Sequence, residues 1–116
     1  MANNKAEDKK YDQFAALAYQ REIETELDKL NQDIMKWKKG EFDFKELNYK
    51  IQHNYTKRLR KIDDFYDYFD SKTEVVRAIA SGILTSADIP KQMLESIKEE
   101  HENWKKMLKR KKTEKA

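Results

Sequence analysis

Trp37-Lys38-Lys39-Gly40-Glu41-Phe42-Asp43-Phe44 holds one of the two glycines in the chain and separates two long stretches of helical periodicity. Gly40 suits the position just past a helix end, where the backbone often takes a positive φ that glycine adopts without steric cost. Three residues on, a new helix is announced. Asp43 is placed to accept a hydrogen bond from the free N–H groups of the next turn, Glu46 stands at the third helical position of a capping box, and Phe42 can staple onto Leu47. A link this short makes the helices on either side antiparallel neighbours, so the minimal unit is a helical hairpin.

Working outward, nothing breaks a helix between about Lys9 and Lys39. Ile23, Leu27, Leu30, Ile34 and Trp37 alternate steps of four and three, the spacing of a seam for one partner helix. Tyr11, Phe14, Ala15 and Ala18 fall roughly 140° away on the helical wheel, giving the same helix a second apolar sector. Beyond the turn, Phe44, Leu47, Ile51, Tyr55, Leu59, Ile62, Phe65, Tyr66 and Phe69 predict one broad face. Arg58 projects into it, its stem expected among apolar neighbours and its head reaching a carboxylate or the rim. Ser71 and Glu74 have capping-box spacing before a short third helix, and Val75 to Leu84, the most apolar run of the chain, predicts a buried cross-piece that Gly82 weakens or ends. Pro90 fits the first turn of a fourth helix seamed by Leu94, Ile97, His101, Trp104 and Leu108.

The expected fold is therefore all-α, an antiparallel four-helix bundle with helices over about 9–39, 43–70, 72–84 and 89–110. A hairpin of two long helices is completed by a short and a longer one, in a single domain whose ends fray at about 1–8 and 109–116. Ile23, Leu27, Leu30, Ile34, Trp37, Phe42, Leu47, Ile51, Ile62, Phe69, Ile79, Ile83, Ile97 and Trp104 are the expected interior.

Composition agrees. Charged residues make up 41% of the 116 and apolar ones 38%, but the apolar residues sit at helical spacing, with one proline and two glycines to interrupt them. The absence of cysteine excludes a disulfide framework, a thiolate zinc site and a cysteine nucleophile. No stretch approaches the roughly 20 apolar residues of a membrane span, and Met1 to Lys5 has no apolar run, which points to a soluble cytoplasmic protein that engages no membrane. A net charge of +3 among 25 basic and 22 acidic residues selects no polyanionic partner.

The span from Trp37 to Pro90 resembles a family of small, uncharacterised bacterial helical proteins. It is carried by a Trp-x-x-Gly turn at Trp37 to Gly40, a Phe-x-x-Leu helix start at Phe44 to Leu47, Ile51, and the ending Gly82-Ile83-Leu84 through Ile89-Pro90. The resemblance implies an all-helical fold and no reaction. The family's Ile-His pair reads Ile51-Gln52 here, with His53 one place later, so no histidine role carries over.

Asp63-Asp64-Phe65-Tyr66-Asp67 has a spacing at which carboxylates can hold magnesium and through it a pyrophosphate. Asp63, Asp64 and Asp67 nevertheless project away from the Ile51 to Ile62 face, which makes a solvated acidic surface the simpler reading and a magnesium-dependent phosphohydrolase the alternative. Glu99 and Glu102 lie opposite the seam of the fourth helix, so they do not complete that site. His53 is expected at the surface and His101 as a hydrogen-bonded seam residue, with no second histidine one turn away. Ser71, Ser81, Ser86 and Ser96 have no paired base. Lys50, Lys57, Arg60 and Lys61 on the second helix, and Lys109, Arg110, Lys111 and Lys112 near the C-terminus, form basic patches that could neutralise phosphates, the basis of a nucleic-acid-binding alternative. Lysine and arginine at a helix C-terminus also simply complement its dipole.

With no polar constellation assembled on an inward face, the reading favoured is a non-catalytic protein-interaction or structural module without a cofactor. Tyr11, Phe14 and Ala18 read most simply as core met by another element of the bundle and, on the functional reading, as its docking surface, with a protein as the expected partner. A second copy closing an isologous dimer is the partner preferred over cover by the fourth helix.

Overall fold

The computed structural model describes the backbone of residues 2–115 and the side chains of residues 9–110. The fold is all-α, with no strand among the described residues. Helix α1 spans Ala2–Lys38. The second limb of the hairpin is built from α2 (Phe44–Tyr49), a π-helical segment (Lys50–Tyr55) and α3 (Thr56–Tyr68). Then follow α4 (Ser71–Ala80), α5 (Lys91–Ser96) and α6 (Lys98–Lys115). Two compact units result, Met1–Ala18 with Phe69–Ala116 and Tyr19–Tyr68, with α1 contributing a limb to each.

The turn of the hairpin follows its local chemistry. Gly40 has φ +81°, the Gly40 N–H donates to the Trp37 carbonyl at 2.9 Å and the Glu41 N–H to the Lys36 carbonyl at 3.0 Å, which satisfies the last carbonyls of α1. Asp43 caps α2, its Oδ1 accepting from the Glu46 N–H at 2.9 Å. The same C-terminal device closes α4. Gly82 has φ +83°, and the Ile83 N–H reaches back to the Ala78 carbonyl at 2.8 Å.

Three local expectations are corrected. Asp70, not Ser71, caps α4: its Oδ1 accepts from the Thr73 N–H at 2.8 Å, while the Ser71 hydroxyl donates to Asp12. Pro90 is the N-cap of α5 with extended ψ 141°, one position before the first helical turn. The fourth helix is not continuous. Ile97 leaves helical geometry at φ −115°, ψ 12°, and the Ser96 hydroxyl donates to the Met93 carbonyl at 2.8 Å, a local bond that competes with the helical ladder.

The unit formed by the chain ends holds the best-enclosed apolar groups. Val75, Val76 and Ala78 of α4 are buried together with Leu84, Ile89 and Ile97, and α4 packs along α6. The Tyr11, Ala15 and Ala18 side of α1 is buried here too, with the Tyr11 hydroxyl 3.5 Å from Ser96 Oγ. Phe14 is half-buried. Tyr11 and Ala18 of the expected docking sector are therefore interior and Phe14 is only partly exposed, with Asp12 to Ser71 and Tyr11 to Ser96 contacts joining this limb of α1 to residues from the other end of the chain. Phe69 meets Trp104 edge to face at 6.3 Å, and Lys72 pairs with Glu100 at 3.3 Å.

Candidate interaction surface

In the hairpin unit, three residues of α1 seven apart face the second limb: Tyr19, Glu26 and Asp33. Seven residues are two helical turns, so they form one line along the helix. The Tyr19 hydroxyl donates to Asp63 Oδ1 at 2.6 Å, Arg58 Nε donates to Glu26 Oε2 at 2.8 Å, and the Tyr55 hydroxyl donates to Asp33 Oδ2. Residue numbers fall on one limb as they rise on the other, so the rungs run in antiparallel order.

Cations reinforce the ladder. Lys29 Nζ lies 3.6 Å from Glu26 Oε1, and Lys50 Nζ lies 3.9 Å from Asp33 Oδ1 and 4.8 Å above the Phe42 ring. The Arg58 guanidinium also covers the Tyr55 ring at 4.7 Å. Burial, then the hydrogen bond to Asp33, pushes the Tyr55 phenol from its ordinary 10.0 up to about 12. The bond to Asp63 raises Tyr19 in the same sense, and the bond to Glu26 raises Arg58. Both phenols are thus neutral donors near pH 7 and the carboxylates are spent as acceptors, so the ladder is a zipper between limbs rather than an acid–base pair.

The ladder displaces the apolar seam. Leu27 follows Glu26 by one residue, about 100° round the helix. Leu27 is consequently 49% exposed and Trp37 39% exposed, although the 3,4 spacing predicts both as interior. Ile23, Leu30 and Ile34, beside Leu27, are half-buried. Phe44, expected on the inward face of the second limb, is 65% exposed. Of the expected interior, Leu47 is buried and Ile97 fully enclosed. Tyr19, Glu26 and Asp33 were open to detection from their spacing of seven beside the seam, but polar residues there read as a solvated flank unless their partners are known.

The remaining candidates are dispersed. Asp63, Asp64 and Asp67 are exposed, Asp63 being tied to Tyr19. Among the described residues no group of three or more His, Cys, Asp or Glu side chains is spaced to hold a metal ion. His53 is exposed and stacks on Tyr49 with ring centroids 4.4 Å apart; His101 is half-buried in α6. Lys57, Arg60 and Lys61 are exposed on α3, whereas Lys50 is engaged with Asp33 and Phe42. Lys109 and Arg110 are exposed on α6, in the other unit, and Lys111 and Lys112 lie outside the described side chains. No described helix is long and apolar enough to cross a membrane.

Comparison with known protein families, with curated proteins and with solved structures returns no match for this chain.

Proposed function

We propose that this chain is a non-catalytic helical interaction module whose docking face is the Leu27 stripe of the hairpin, Ile23, Leu27, Leu30, Ile34 and Trp37. The observation that carries the reading is the exposure of Leu27 at the centre of that stripe. An apolar line at 3,4 spacing is what a helix uses to pack against another helix, and here the chain's own second limb is met by the polar ladder instead. Covering the exposed half of Leu27 alone is worth about 1 kcal/mol. The carboxylates nearest the stripe, Glu26 and Asp33, already serve as acceptors, so they hold the surface in place.

A photo-crosslinking amino acid placed at Leu27, with the exposed Gln32 on another side of α1 as control, tests this in the native cell. A discrete protein adduct at residue 27 and none at residue 32 is the expected result. No adduct at residue 27 would remove the reading.

A further inference from the structure

At one height of the hairpin, between the bases Arg21 and Lys29 on α1 and ahead of the acids Asp63 and Asp64 on α3, charge is segregated between the limbs. From Glu22 to Asp28, α1 carries Glu22, Glu24, Glu26 and Asp28 and no base; from Lys57 to Lys61, α3 carries Lys57, Arg58, Arg60 and Lys61 and no acid. The Glu26 to Arg58 rung places the two stretches at one height along the hairpin. Glu24 and Asp28 are exposed roughly 60° and 100° round α1 from Leu27, on the side away from the ladder. Lys57 and Arg60 are exposed at the same height on the other limb. The Leu27 stripe lies between the direction of α3 and that acidic flank. A helix with a neighbour in its own hairpin on one side and a neighbour from another hairpin at right angles to it turns such an intermediate stripe toward the common axis of a four-helix bundle.

We infer that the occupant of the Leu27 face is a second copy of this chain, the two hairpins packing face to face about a two-fold axis that runs along their helices. The inference rests on the interaction reading above and adds the partner and its orientation. Charge selects the axis. A two-fold perpendicular to the helices sets α1 against α1 and α3 against α3, bringing like charges together. One parallel to the helices sets α1 of each copy against α3 of the other and preserves height, so Glu24 and Asp28 meet Lys57 and Arg60 without any sliding. Both hairpin turns then lie at the same end of the bundle.

Sedimentation of the full chain at micromolar concentration reads the association. The wild type is expected as a dimer that weakens with added salt. Reversing either side, with Glu24→Lys and Asp28→Lys or with Lys57→Glu and Arg60→Glu, is expected to raise Kd at least about tenfold, and combining all four is expected to restore it. These positions are exposed, and circular dichroism of each variant checks that its helices are retained. Because the chain has no cysteine, Glu41→Cys introduces a unique thiol at the turn. A short bismaleimide should join two copies through it, as turns at one end require. A chain that stays monomeric, a combined variant that fails to recover, or turns that never cross-link would overturn the inference. The residue 27 adduct separates the layers: twice the monomer mass supports the second copy, a heterologous product overturns it while sparing the interaction reading, and no product removes both.

Discussion

Arg58 Nε lies 2.8 Å from Glu26 Oε2, joining a side chain that stays 42% exposed to a carboxylate only 10% exposed. The asymmetry determines what each substitution does. Arg58→Leu strands a desolvated carboxylate whose remaining cation, Lys29, is farther off at 3.6 Å and mostly in water. It should cost about 1.5 kcal/mol in urea unfolding. Replacing Glu26 and Arg58 together by leucine should cost less than Arg58→Leu alone, since no charge is then left buried. A double variant at least as unstable as the single one would contradict this account.

The Tyr55 phenol gives the fold an alkaline limit. With its folded pKa raised from 10.0 to about 12, the folded state holds the proton more tightly than the unfolded chain does. That contribution is complete below pH 10 and is lost as pH climbs from 10 through about 12. Stability should fall across this window, with Tyr55 among the last tyrosines to ionise in an ultraviolet titration. Tyr55→Phe should flatten the fall, and an unchanged slope would show that Tyr55 is not its source.

Two helix starts depend on single aspartates. Asp43→Ala and Asp70→Ala should each cost on the order of 1 kcal/mol by thermal or urea unfolding. The hydrogen bonds from the Thr73 hydroxyl and N–H hold the Asp70 carboxyl below its ordinary 3.8. Its contribution is therefore present above that value and is lost as pH falls through the lower folded pKa. Ser71→Ala leaves the cap in place and should cost less than Asp70→Ala.

How much the sequence disclosed varies along the chain. The Gly40 stop and the Asp43 restart are encoded within eight residues, so both were legible, as were the Gly82 stop and the burial of Val75 and Val76. Asp70 and Ser71 are adjacent and both are good caps, so only the backbone distinguishes them. Arg58 was legible as a charge seeking a carboxylate, but Glu26 is 32 residues away and reads as a surface acid. Leu27 and Trp37 were misplaced for the same reason: periodicity reports that a stripe exists, not which neighbour it meets. The enclosure of Tyr11 and Ala18 depends on residues from the far end of the chain, a relationship no local pattern carries.

Both glycines stand in a left-handed conformation with nothing within 4 Å of an added Cβ. Gly40→Ala and Gly82→Ala should therefore show the backbone penalty without a steric one, about 1 kcal/mol each. A much larger loss in urea unfolding would mean that the turn moves to accommodate the methyl group.

The Thr56 N–H bonds the Ile51 carbonyl five residues back, and the Thr56 hydroxyl accompanies it at 2.7 Å. A π turn holds one residue more than an α-helix requires. The second limb of the hairpin is thus two cogs on one shaft, offset by a tooth: Leu47 and the Asp43 cap are geared to the turn, while Tyr55, Arg58 and Asp63 are geared to the line along α1. Taking a residue out of 50–55 would mesh the cogs as one regular helix and rotate one set against the other by about 100°. The limb could then serve the turn or the ladder, but no longer both.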